Sequence, residues 1–218
     1  MTRTAPSPRG VLSVAAAALC LVLSGCAVPG QDEAGVLAAP GLTVAAPSAS
    51  AELASPRLDH VPVAPPERLV FPAAGIDGPV EEYTAAEAEA EGGINPATLD
   101  TISWYSGIRD PMPGSDAANT VYLFGHSWVE PAVFNGLTGV HAGDRATVTT
   151  ATGDLVYEVD EIITMAKPDF TQDPRVVAVV PGRLALVTCH RPDGWDPSAS
   201  APDNTVVFLH LVEARSAD

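Results

Sequence analysis

From about residue 67 to its end, the chain alternates short apolar runs, rich in β-branched residues, with clusters of Gly, Pro, Asn and Asp. No long segment has an apolar period near 3.6, which argues against a helical bundle. Short runs of this kind, bounded by turn residues, are typical of β-strands. The pattern therefore predicts one mainly β domain over residues 67–218, closed into a barrel or a sandwich that hides its strand edges.

The apolar runs also indicate where individual elements lie. A turn at residues 152–154 connects two of them and predicts a β-hairpin. Short helical turns are expected near residues 84–91 and 131–137. The predicted strands cover residues 68–71, 120–124, 145–150, 155–164, 183–189 and 205–212.

The charge of the chain limits its partners. Lys and Arg number 11 against 27 Asp and Glu, a formal net charge of −16. Nucleic-acid binding requires a basic surface, so no nucleic-acid partner is expected. Hydrophobic residues make up 46% of the sequence, enough for a sizeable core, and this excludes disorder over the whole length.

Residues 1–25 have the form of a secretory signal. Arg3 and Arg9 give a basic start, and the apolar run 11–23 that follows is too short to span a bilayer. The run ends in a Leu-Ser-Gly-Cys sequence at Cys26 that resembles a bacterial lipobox, which implies that Cys26 becomes the lipidated first residue of the mature chain. An ordinary signal peptide with a chance Cys and a non-cleaved anchor are the alternatives.

Residues 26–66 are rich in Ala, Pro, Ser and Gly and have no sustained apolar period. We expect them to form a disordered tether between the lipid and the domain. The sequence thus predicts an extracytoplasmic protein, anchored by lipid to the outer face of the cell membrane.

The cysteines and histidines supply the first chemical indication. Cys20 would leave with the signal and Cys26 would carry lipid, so Cys189 is the one thiol expected in the mature domain. It ends a predicted strand, and His126 follows the end of another strand 63 residues earlier. A cysteine becomes a nucleophile when a neighbouring cation stabilises its thiolate, and an imidazole can also donate a proton to a leaving amine.

Short motifs between residues 68 and 212 stand in a characteristic order and spacing. They are Leu-Val-Phe-Pro-Ala-Ala-Gly-Ile-Asp-Gly-Pro-Val at 69–80, Trp104-Tyr105, Pro113-Gly114, Gly125-His126-Ser127, Phe134 with Leu137, Gly143-Asp144 and Leu186-Val187-Thr188-Cys189. This series resembles the sortases, the cysteine transpeptidases of Gram-positive cell surfaces, and most nearly the class E and class F groups of actinobacteria.

The resemblance implies a closed eight-stranded β-barrel in which Cys189 is the nucleophile and His126 the general acid. It implies cleavage of a C-terminal sorting signal of the Leu-Pro-x-Thr-Gly type through a thioacyl intermediate. The partners would be surface proteins bearing that signal and an amine of a cell-wall precursor or a pilin. No cofactor is expected. His126 and Cys189 lack a clear third ligand, so no zinc site is expected either.

The family also uses an Arg near the start of the last strand, which donates to the substrate carbonyl or its oxyanion. No Arg lies between Pro192 and Val212 in this sequence, and Asn204 stands in the corresponding region. Three hypotheses remain. Arg191 reaches the oxyanion, Asn204 supplies a weaker neutral donor, or the protein is a catalytically impaired sortase-like lipoprotein that binds a peptide or an envelope partner.

Three further residues are candidate substrate contacts. Thr188 precedes the predicted nucleophile, and Trp128 and Trp195 flank the groove that the resemblance implies.

Overall fold

The computed structural model describes residues 58–196 and 198–217. Eight strands close into a barrel in the order β1-β2-β3-β4-β7-β8-β6-β5. Two short helices, α1 (Ala85–Glu91) and α2 (Pro174–Val177), accompany the barrel. The strands are β1 (Pro66–Phe71), β2 (Ile76–Tyr83), β3 (Ile102–Tyr105), β4 (Val121–Phe124), β5 (Arg145–Thr150), β6 (Gly153–Ala166), β7 (Arg183–His190) and β8 (Asp203–Ser216).

Most neighbouring strands are antiparallel, but β2 pairs with β3 and β4 pairs with β7 in parallel. A parallel pair needs a crossover connection, and the hairpin of β5 and β6 together with α2 lies between β4 and β7 in sequence. The crossover therefore places the carboxyl ends of β4 and β7 side by side.

Alternation along β4, β7 and β8 produces two apolar clusters, one on each face of the sheet. Val121, Leu123, Leu184 and Leu186 belong to the larger cluster, which fills the barrel. The alternate residues of the same three strands belong to a second cluster on the outer face. They are Tyr122, Ala185, Val187, Val206 and Phe208, packed with Ile163, Met165 and Val176. Because both faces are covered, these strands read as continuous apolar runs rather than as alternating ones.

The predicted mainly β fold and closed eight-stranded barrel are confirmed. All six predicted strands are present, but β2 and β3 were not predicted. In β2 only Ile76 and Tyr83 are buried, so the strand has no apolar run, and β3 is only four residues long. The predicted hairpin joins β5 and β6, with Thr150 opposite Gly153, so its two-residue loop lies slightly before the predicted turn.

Both predicted helical turns are present. Thr84 caps α1 in a capping box with Glu87, whose carboxylate accepts from the Thr84 amide at 2.7 Å. These hydrogen bonds lower the pKa of Glu87. In the second region a 3-10 helix covers Asn135–Gly139, and it buries Leu137.

The folded region begins before the predicted boundary at residue 67. Residues 58–65 lie along the barrel wall, where Val61 is fully buried and pairs with Ser115 through hydrogen bonds of 2.9 Å. The Asp59 amide also donates to the Ala214 carbonyl at 3.0 Å. Val61 lies in a stretch without a sustained apolar period, and Val63, two residues later, is exposed, so the sequence pattern did not indicate which of the two is buried.

The predicted signal (1–25), the lipidation site Cys26 and most of the predicted tether lie outside the described residues. Within the described part of the chain, no helix combines the length and the apolarity that a membrane crossing requires.

The burial of Val61 leads to a stability prediction. Val61→Ala removes buried methyl groups, and we expect the free energy of unfolding to fall by about 1–3 kcal/mol in urea titrations. Val63→Ala is the matched control, since Val63 is 44% exposed and its truncation should change stability by less than about 0.5 kcal/mol. Equal losses in both variants would contradict the assignment of residues 58–65 to the folded domain.

Candidate active site

Cys189 lies on the outer face of the barrel, near the end of β7, and is half-buried. Cys189 lies an even number of residues after Ala185 and Val187 along the strand, so its side chain projects to the same face. Both of those residues belong to the outer cluster. His126 follows the end of β4 with the parity of Tyr122, also in the outer cluster. In the parallel register Phe124 is level with Val187, so continuing it by two residues places His126 level with Cys189.

Two hydrogen bonds hold the ends of β4 and β7 together beside these residues. The Gly125 amide donates to the Val187 carbonyl at 3.2 Å. The buried Thr188 hydroxyl donates to the Gly125 carbonyl at 2.8 Å. Gly125, which precedes His126, takes part in both bonds, and Thr188 precedes Cys189. The two bonds therefore fix the separation of the two backbones beside these residues.

Position 125 has no room for a side chain. A Cβ there would lie 2.8 Å from the Phe134 ring and 2.9 Å from Val133. Phe134 is fully buried, and its amide donates to the His126 carbonyl at 2.9 Å. The Gly-His pair thus allows the chain after β4 to fold back tightly over the strand end.

The His126 ring is oriented by a backbone group. Nε2 lies 2.8 Å from the carbonyl oxygen of Pro96. A carbonyl only accepts, so Nε2 carries the hydrogen, and Nδ1, which has no hydrogen-bond partner among the described residues, is the ring nitrogen available for proton exchange. A nucleophile and its base usually need a third group that orients the base, and no side-chain pattern in the sequence could have indicated this carbonyl.

Cys189 and His126 line one groove of about 1120 Å³. The floor is the outer face of β4 and β7. Phe124 stands at its centre, in ring contact with Tyr105, Tyr122 and Phe170 at centroid separations of 6.2–6.4 Å. The groove therefore offers an apolar surface that leads to the thiol.

Residues 167–182 form one wall of the groove, and two side chains from the sheet hold this wall. The Tyr122 hydroxyl donates to the Val176 carbonyl. Arg183 donates to the Ala178 carbonyl at 3.2 Å and to the Thr120 hydroxyl at 2.8 Å. Burial raises the pKa of Tyr122, although the Arg183 charge acts in the opposite direction, so the hydroxyl keeps its proton.

Asn204 stands directly opposite Cys189 in the antiparallel register of β7 and β8. Directly opposed residues project to the same face of a sheet, and both residues line the groove. A carboxamide has N–H donors, so Asn204 presents a neutral donor beside the thiol.

Arg191 lies two residues after Cys189, and its guanidinium contacts the loop that follows His126. Nη1 donates to the Ser127 carbonyl at 2.9 Å, and the guanidinium carbon lies 4.0 Å from the centre of the Trp128 ring. Its Nε is buried and has no partner among the described residues. Arg191 thus connects the segment after the cysteine to the segment after the histidine.

The predicted substrate contacts occupy different environments. Thr188 is buried and bonds to Gly125, as described above. Trp128 is 37% exposed beneath Arg191 and lines a second, smaller pocket. Trp195 donates to the Ser200 carbonyl within its own loop and lines neither the groove nor that pocket. Their roles toward substrate remain predictions.

No group of three or more His, Cys, Asp or Glu side chains in the described residues has the geometry to hold a metal ion. What the structure assembles at the groove is instead a thiol, an imidazole oriented by a carbonyl, and an amide donor on the opposite strand. Such a set suits acyl transfer, in which a thiolate attacks a carbonyl and an acid protonates the leaving group.

A family model described as the sortase domain matches residues 69–212. Sortase A of Listeria monocytogenes superposes with a TM-score of 0.51, at 17% identity over 71% of this chain and 92% of that chain. For SrtA of Actinomyces oris the TM-score is 0.53, at 17% identity over 73% and 90%. For sortase E1 of Streptomyces coelicolor, solved with a tripeptide in its active site, it is 0.51, at 18% identity over 72% and 94%. At these identities the structural likeness shows the fold alone. No curated protein sequence matches the chain.

The hydrogen bonds that hold residues 167–182 lead to a prediction about local unfolding of this groove wall. Tyr122→Phe removes the donor to Val176, so we expect unfolding free energy to fall by about 1 kcal/mol and amide hydrogen exchange over residues 167–182 to become faster. Tyr157→Phe is the control, because the buried Tyr157 hydroxyl has no partner among the described residues. That control should leave exchange in the wall unchanged. Unaltered exchange in Tyr122→Phe would mean that other contacts hold the wall.

Proposed function

The chain belongs to the sortase family, and from this membership we propose that it is a cysteine transpeptidase acting on a sorting signal of the Leu-Pro-x-Thr-Gly type. The observation that carries the proposal is the placement of Cys189 and His126 on one groove, at the ends of two paired strands. The residue motifs further support a class E or class F type of sortase.

The first half-reaction is acylation of Cys189. The Sγ thiolate attacks the carbonyl carbon of the Thr in the signal, and the C–S bond forms as the C–N bond to Gly breaks. His126 donates a proton to the departing amine, for which a free Nδ1 is suited because Nε2 is committed to Pro96. The products are a thioester on Cys189 and a peptide with a free amine.

The second half-reaction regenerates the free enzyme. A neutral amine of a cell-wall precursor or a pilin attacks the thioester carbon, the C–N bond forms, and Sγ leaves as thiolate. The amine's extra proton passes to His126, so the site regains its starting charge. Water can replace the amine and would yield hydrolysis.

The developing oxyanion needs a donor, and we assign it to Asn204. Asn204 faces Cys189 across the strands and lines the groove. The Arg191 guanidinium is engaged with Ser127 and Trp128, so we assign it to holding the loop after His126. This arrangement supports activity without an Arg at the start of β8.

The apolar groove fits the apolar part of such a signal. Its aromatic floor around Phe124 leads to Cys189 and provides a surface for the Leu and Pro side chains that precede the scissile Thr. We propose that the protein acts outside the membrane, anchored through lipid on Cys26, where exported substrates would pass.

The proposal is tested by incubating the full chain with a fluorogenic sorting-signal peptide. We expect cleavage and a covalent adduct on Cys189 visible by mass spectrometry. Cys189→Ala and His126→Ala should each lower the rate by at least about a thousandfold, since both groups act in the same chemical steps.

Circular dichroism of each variant serves as the control for folding. Cleavage that survives Cys189→Ala would overturn the mechanism. Peptide binding without cleavage by the wild-type chain would favour the alternative function, a sortase-like lipoprotein that binds a peptide or an envelope partner.

Substitutions at the two candidate donors distinguish their roles. Asn204→Ala should lower kcat by about a hundredfold with little change in KM, because an oxyanion donor acts in the transition state. Asp203→Ala, the neighbouring residue on the other strand face, is the matched control and should leave kcat within about threefold. If Arg191→Ala produced the larger kcat loss and Asn204→Ala none, the oxyanion donor would be Arg191.

A further inference from the structure

A second, smaller pocket of about 230 Å³ reaches the thiol from another side. It shares His126, Lys167, Cys189 and Ser200 with the groove. Its other described lining residues belong to the loop after β4 and to the loop between β7 and β8: Ser127, Trp128, Arg191, Ser198, Ala199 and Ala201.

The charge of this pocket is opposite to that of the protein. The chain has a net charge of −16, yet Lys167 and Arg191 line the pocket and no Asp or Glu is among its described lining residues. Lys167 is exposed, and within residues 58–196 and 198–217 no carboxylate forms an ion pair with it. It is the one Lys in the sequence. The pocket thus has a cationic group available to an anion close to Cys189.

A two-substrate acyl transfer gives such a pocket a role. The groove would hold the acyl portion of the signal, which stays bound to Cys189 after the first step. The amine that leaves and the amine that enters occupy the same side of the thioester carbon, because the two half-reactions traverse equivalent transition states in opposite directions. That side must be reachable while the groove is filled, and the second pocket meets this requirement.

We infer that this pocket binds the acyl acceptor and favours an amine whose carrier also bears a carboxylate, with Lys167 as the pairing cation. The inference rests on the proposed transpeptidase function. A carboxylate held by Lys167 would place the neutral amine beside Cys189, where its nitrogen attacks the thioester carbon. The C–S bond then breaks, and the amine's proton passes to His126.

The experiment compares acceptors that differ only in the carboxylate. The full chain is given the sorting-signal peptide with Nα-acetyl-lysine or its carboxamide, and with 4-aminobutanoate or its carboxamide. The ratio of ligated to hydrolysed product is measured by chromatography. We expect the acid to exceed its amide by about tenfold in at least one pair, as for one charge-assisted hydrogen bond.

Lys167→Gln should bring the acid-to-amide ratio close to one. Arg109→Gln removes the same charge from an exposed side chain whose only ion pair in the described residues is with Asp110, and it should retain the full preference. Because each ratio is taken within one variant, general changes in rate cancel.

The inference is overturned if acid and amide are used equally in both pairs, if neither acceptor is ligated, or if Lys167→Gln keeps the preference. Absence of any peptide cleavage without acceptor is a separate result, and it would overturn the proposed function itself.

Discussion

The parallel pairing of β4 and β7 is the constraint on which the site depends. It places two strand ends side by side, and the bonds of Gly125 with Val187 and Thr188 fix their separation. His126 and Cys189 are far apart in sequence, so the connectivity of the chain alone does not bring them together. A parallel pair needs a long crossover, and here the same crossover supplies the groove wall that Tyr122 and Arg183 hold in place. One topological feature thus brings the thiol and the imidazole together and also supplies the surface that leads to them.

Much of the fold followed from local pattern, because β4, β5, β6, β7 and β8 are apolar enough to be recognised as runs. The pattern failed where burial is sparse. Only two residues of β2 are buried, and residues 58–65 are held by hydrogen bonds and by the buried Val61 and Ala64, none of which depends on a sequence motif. Strand order was likewise outside the reach of local pattern, and the closed barrel followed from the family resemblance.

The site was predictable to the extent that it rests on side chains at strand ends. Cys189 and His126 were recognisable as such, and Asn204 as the residue near the missing Arg. The Pro96 carbonyl that orients His126 was not, because a backbone acceptor is available at every residue and its use depends on the tertiary path. The engagement of Arg191 with Ser127 and Trp128 depends in the same way on how two loops meet. The sequence indicated which side chains could take part in a reaction. The contacts made by the loops determine which of these side chains remain available to a substrate.

Closure of the barrel has a consequence for specificity. Many proteins capture an extended peptide by letting it continue a sheet, so that main-chain hydrogen bonds supply affinity regardless of sequence. In this barrel each of the eight strands already pairs with a strand on either side, so the sheet has no edge strand for a peptide to extend. Discrimination between peptides must then come from how their side chains fill the surface around Phe124, which makes binding sensitive to the shape of each residue near the scissile bond.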